Sequence, residues 1–137
     1  MKISRSAKGF TLLEILIVLV VLGVVAGLMF PVLAVQVNRS KGQEAVTALG
    51  TVKEAAVRYY QTKGNSSYTG AALPIDGYDP GAAAAGQTPK FTYAFAVTDG
   101  GTKFSCTATL KAAEGGTAND WISIDEAGTV TKNGIFL

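Results

Sequence analysis

Few side chains in this sequence are equipped for chemistry. Its 137 residues include no histidine and one cysteine, Cys106. Zinc sites and Ser–His–Asp catalysis therefore lack their usual ligand or base. A lone cysteine rules out an internal disulfide. No nucleophile–base pair or phosphate-binding loop is legible, so neither an enzyme nor a cofactor is expected. Asp120, Asp125 and Glu126 are clustered acids and the calcium candidates. They lack the D-x-D-x-D-G spacing that gathers six to eight oxygens, so no metal is expected. That leaves Glu14, near the start of the run KGFTLLEILIVLVVLG, Lys8 to Gly23. An acid at the centre of a membrane helix costs about 2.5–3.5 kcal/mol, so one in such a run calls for a partner or a task.

The element that carries Glu14 is long and apolar. From Ile15 to Val35, 21 residues bear no charge and no polar side chain. As a helix that run spans roughly 30 Å, the thickness of a bilayer's hydrocarbon core. Lys2, Arg5 and Lys8 precede it with no acid among them, which favours an inside N-terminus. Without residues 1–9, nine basic and ten acidic residues remain. That balance gives no basic face for nucleic acid, and no specific nucleic-acid partner is expected. A secretory signal peptide should have a shorter apolar stretch and a small-x-small cleavage site, neither of which is present. A plain membrane anchor explains the run but not Glu14, unless that carboxylate snorkels to the interface.

The stretch KGFTLLEILIVLVVLGVVAGLMFP resembles the N-terminus of type IV pilins and type II secretion pseudopilins. A basic leader ends in Gly9, an aromatic residue follows at Phe10, and Glu14 precedes an unbroken apolar helix with Gly23 and Pro31. The resemblance implies cleavage by a prepilin peptidase between Gly9 and Phe10 and methylation of the new amine on Phe10. It implies that Glu14 attracts such an ammonium, its own or a neighbour's, and registers one subunit against the next. Gly23 and Gly27 form a small-xxx-small pair suited to close helix approach, though ordinary membrane-helix composition explains them equally well. Pro31 removes a helical hydrogen bond and is expected to kink or loosen the helix. The implied partners are further copies of this chain, other pilin-like subunits, membrane lipid, and an inner-membrane assembly platform with a cytoplasmic ATPase. The implied location is the bacterial inner membrane for the precursor, then an extracellular or periplasmic filament.

The expected fold is α+β and pilin-like. Residues 1–9 form a leader that is removed, 10–37 a transmembrane or filament-core helix, and 38–137 the globular domain. The helix is expected to continue to about residue 63, ending at Gly64 and Asn65. Ala45, Ala48, Leu49, Val52, Ala56 and Tyr59 follow the spacing of one helix face. Gly42 and Gly50 weaken the helix there by roughly 1 kcal/mol each. Residues 64–90 read as a loop pinned by Tyr68, Tyr78 and Pro80. Three or four antiparallel strands follow over 91–137: Phe91–Val97, Lys103–Leu110, Trp121–Asp125 and Gly128–Lys132. Alternation turns Cys106 inward, as an inert core thiol. A pilus subunit is the favoured reading and a secretion pseudopilin its alternative. A membrane-tethered binding module is a third, and it requires Lys103, Lys111 and Lys132 to converge.

Overall fold

A computed structural model describes residues 10–63, 66–82 and 88–137, with the backbone alone at Pro31. The leader residues Lys2, Arg5, Lys8 and Gly9 lie outside the described residues, as do Gly64 and Asn65. The chain divides into two compact units, Met1–Val37 and Asn38–Leu137. Helix α1, Leu12–Thr62, contributes residues to both. The helical backbone continues through position 31 without a break.

In the first unit, the large apolar side chains from Phe10 to Val37 are all exposed, Val25 least at 46% and Leu12 most at 85%, leaving Pro31 aside. Leu, Ile and Val with no polar neighbour favour a helix that is hydrophobic all round. Such a helix requires cover from lipid or from other chains.

In the second unit α1 becomes amphipathic. Ala45, Leu49, Val52, Ala55 and Ala56 are buried, whereas Ala48 and Tyr59 are half-buried. Ala55 lies outside the expected set. It follows Val52 by three residues, and the buried stripe widens to include it where the sheet covers more than one row of side chains. The sheet has four strands in the order β1 (Phe91–Thr98), β2 (Lys103–Leu110), β3 (Trp121–Asp125) and β4 (Val130–Lys132), each antiparallel to the next. Phe95, Cys106 and Ile124 share one inner rung, and Tyr93, Ala108 and Ile122 another. Burial alternates strictly along β2, where Phe104, Cys106, Ala108 and Leu110 are buried. β4 starts two residues later than its sequence pattern suggests. Asp125 takes up the intervening turn: its backbone carbonyl accepts from Gly128 N–H at 3.0 Å and its Oδ1 from Thr129 N–H at 2.7 Å.

Gly42 has a different role from the expected weak point. A Cβ there would lie 3.1 Å from Phe136 Cδ1, so the glycine admits that ring against the helix. The loop before the sheet is held by more than its tyrosines. Tyr68 is buried, with its ring 4.8 Å from Tyr60 and 4.9 Å from Phe104. Tyr78 and Pro80 are half-buried. Ala71 and Ile75 are buried more deeply than either. Asp76 pairs with Arg58 at 3.0 Å and Lys63 at 3.3 Å, fastening the loop to the last turns of α1.

Candidate functional site

The N-terminal residues fold into a capping box. Thr11 precedes the helix, and its carbonyl accepts the first helical bond, from Ile15 N–H at 3.3 Å. Its hydroxyl oxygen accepts from Glu14 N–H at 3.2 Å. In return Glu14 Oε2 accepts from Thr11 N–H at 3.0 Å and from the Thr11 hydroxyl at 3.2 Å. This is the reciprocal S/T-x-x-E arrangement that satisfies orphan donors at a helix start, where a negative charge also meets the positive end of the helix dipole. The signature was legible as Thr11-Leu12-Leu13-Glu14, but it assigns Glu14 a partner inside its own chain. Phe10, just outside the cap, is 80% exposed. One end of the helix thus presents an aromatic residue, a hydroxyl and a carboxylate at the edge of an apolar surface.

Gly23 and Gly27 stand open. A Cβ at either would meet nothing within 4 Å. Neither glycine serves packing within the described chain, so both leave backbone accessible to a neighbour.

Two of the three acids considered for calcium, Asp120 and Asp125, have separate partners within the chain. Asp120 is buried, and its carboxylate accepts from Thr117 N–H, the Thr117 hydroxyl and Ile135 N–H. These bonds hold its carboxyl below the usual carboxylate range, Ile135 contributing most. Asp125 lies at the other end of β3, and its carboxyl is lowered chiefly by Thr129 N–H. Glu126 is the first residue of the β3–β4 turn. Among the described residues no three His, Cys, Asp or Glu side chains gather in a way that could hold a metal ion.

The lysines do not converge. Lys103 opens β2 and Lys111 follows its last residue, so the strand holds them roughly 27 Å apart. Lys103 is also paired with Asp99 at 2.7 Å. Cys106 is fully buried, and burial pushes its thiol up to about 12, which leaves it protonated and unreactive.

Comparison with known proteins bears on the same N-terminal stretch. The family described as the prokaryotic N-terminal methylation motif matches residues 4–30, which include Gly9, Phe10 and Glu14. The chain is similar to fimbrial protein EcpC of Eikenella corrodens, 34% identical over 130 residues, covering 86% of this chain and 80% of that protein. A solved type IV pilin from Shewanella oneidensis superimposes with a TM-score of 0.45 and 17% identity over 69% of this chain and 90% of its own, a likeness too slight to bear on the assignment. With the motif in place and a fimbrial relative matched over most of both lengths, the chain belongs to the type IV pilin superfamily: a structural subunit, membrane-anchored as a precursor, processed by a prepilin peptidase and self-polymerising into filaments.

Proposed function

We propose that this chain is a pilus subunit, cut between Gly9 and Phe10, methylated on the new amine of Phe10, and registered in the filament by Glu14. The observation that carries the proposal is the capping box. In the precursor, Glu14 commits its carboxylate to the neutral donors of Thr11. Cleavage would create an ammonium one residue before that threonine. The bonds from Thr11 already have a charged acceptor; an ammonium would add a full positive charge opposite it, and in a low-dielectric core that attraction lets the ammonium compete for the same oxygens. In a filament core shielded from water, an ammonium and a carboxylate each require a partner, within the chain or across to the next copy.

The residues around this centre take supporting roles under the same proposal. Lys2, Arg5 and Lys8 hold the leader on the cytoplasmic side. Residues 10–37 form the membrane and filament-core segment and 38–137 the globular domain. Gly23 and Gly27 admit a neighbouring helix, and Pro31 removes one helical bond where the helix loosens during assembly. The inner-membrane platform and its cytoplasmic ATPase supply the work of assembly. The fimbrial relative, and the commitment of Asp120 to Thr117 and Ile135 and of Asp125 to Thr129, favour a pilus over a calcium-bearing secretion pseudopilus.

Intact-mass analysis of sheared surface filaments tests the reading. The expected chain starts at Phe10 and carries one added methyl group. A mature chain that keeps residues 1–9 would overturn it. Loss of surface filaments on deletion, with protein secretion intact, is the result expected of a pilus subunit; the reverse would transfer the chain to a secretion pseudopilus.

A further inference from the structure

Asp120 is the one buried charged residue among those described, at 4% exposure, and filament assembly as argued above makes no use of it. It stands immediately before β3. Its Oδ2 accepts from Thr117 N–H and the Thr117 hydroxyl, both at 2.7 Å, and its Oδ1 accepts from Ile135 N–H at 2.9 Å. Among the described residues no lysine or arginine is ion-paired with it. Neutral donors from two chain segments therefore hold a buried carboxylate, and they leave it no spare partner if either segment departs.

The segment that Asp120 grips is otherwise lightly attached. Asn133 N–H donates to Trp121 O at 2.9 Å. Gly134 follows at φ +67°, and a Cβ there would overlap Asp120 Oδ1, so only glycine lets the chain pass this close. Ile135 is 40% exposed and Leu137 92% exposed, and all three residues of β4 are exposed. Phe136 alone turns inward, to 9% exposure, with its ring 6.0 Å from that of Phe91 and against Gly42 of α1.

We propose that residues 133–137 form a strap that opens and closes as one unit over an apolar notch made by Gly42, Phe91 and Ile122, with Phe136 as its plug and Asp120 as its clasp. A segment with one buried side chain and few backbone bonds has the low local stability from which such openings are drawn. Its opening uncovers a notch sized for a single aromatic side chain. The strap closes the C-terminal stretch without a covalent link, in a chain whose one cysteine is committed to the core.

Amide hydrogen exchange on the full-length chain in detergent micelles tests this. Asp120→Asn is expected to speed exchange at Thr117, Ile135 and Leu137 by about tenfold or more, the ratio set by losing a hydrogen bond to a charged acceptor. The amides of Ser105–Thr109 within β2 should hold their rates. Phe136→Ala removes none of the donors or acceptors of the Asp120 bonds and is expected to speed Ile135 and Thr117 as well, because plug and clasp release together. An unchanged Ile135 rate in either variant would overturn the proposal. So would equal acceleration in β2, since the segment would then open only with the whole domain. Should Asp120→Asn not fold, the Phe136→Ala measurement decides the question alone.

Discussion

Leu19 and Leu49 lie on the same helix with the same side chain, yet Leu19 is 63% exposed and Leu49 is fully buried. Leu19 belongs to the unit that ends at Val37 and Leu49 to the unit that begins at Asn38. In the second unit the chain supplies its own cover, because Phe91, Phe104, Ile122 and Ile124 enclose the helix face. In the first, no described side chain does so, and the cover has to come from lipid or another subunit. The contrast separates residues that stabilise a folded domain from residues that stabilise an assembly. Helix geometry alone does not distinguish them, since 3.6 residues per turn serve both.

Glu14→Ala should break the comparison most sharply. Filament yield from sheared cells is expected to fall to near nothing, while peptidase cleavage and the thermal melting of the globular domain stay as they are. Normal filaments from that variant would remove Glu14 from assembly. Leu49→Ala is expected to destabilise the domain by about 2–5 kcal/mol, because it empties a buried site. Leu19→Ala, at an exposed site, should stay within about 0.5 kcal/mol in the same denaturant titration. Similar losses from the two would mean that the first unit packs within the monomer.

A second pair of variants sharpens the contrast inside one half of the helix. Gly50→Ala meets nothing within 4 Å and is expected to stabilise the domain by about 0.5–1 kcal/mol through helix propensity. Gly42→Ala places its methyl 3.1 Å from Phe136, so the ring must shift and that gain is lost or reversed. Chemical denaturation of the two proteins side by side would decide; an equal gain at both positions contradicts the close approach at Gly42.

The smallest expected effect is on pH dependence, and it too belongs to the globular unit alone. Arg58 and then Lys63 hold the Asp76 carboxyl below its ordinary 3.8, and backbone amides do the same for Asp120 and Asp125. Carboxyls that are more acidic when folded add stability above the unfolded pKa and lose it as pH falls through the folded one. Domain stability should therefore stay level with respect to these groups above about pH 5 and decline below about pH 4. Asp76→Asn should make that acid decline shallower in thermal melts taken from pH 6 to pH 2; an unaltered slope would show that the Arg58 pairing does not persist in solution.

Much of this architecture was legible because it repeats locally. The apolar run and the alternation of Lys103–Leu110 each announce themselves within a few residues. Glu14 was conspicuous for the same reason, as a charge in an apolar run. Its bond to Thr11 was equally local, though the resemblance pointed the carboxylate at a different partner. Ile75 had no such signal: one apolar residue in a loop carries no period, and only the folded loop shows it 1% exposed.

By itself, then, the sequence determined what depends on neighbours along the chain: the membrane-length helix, the processing motif, the strands and their inward faces. Hydrophobic periodicity and spacing are properties of short windows. The tertiary structure alone decided that Gly42 receives Phe136, that Ile75 and Ala71 anchor the loop, that Lys103 and Lys111 stand at opposite ends of a strand, and that Asp120 is buried against Thr117 and Ile135. Gly42 and Phe136 are separated by nearly the whole domain in sequence, and their contact exists only once the sheet has folded against the helix. Such long-range packing is a property of the assembled core, where close-packed side chains specify one another.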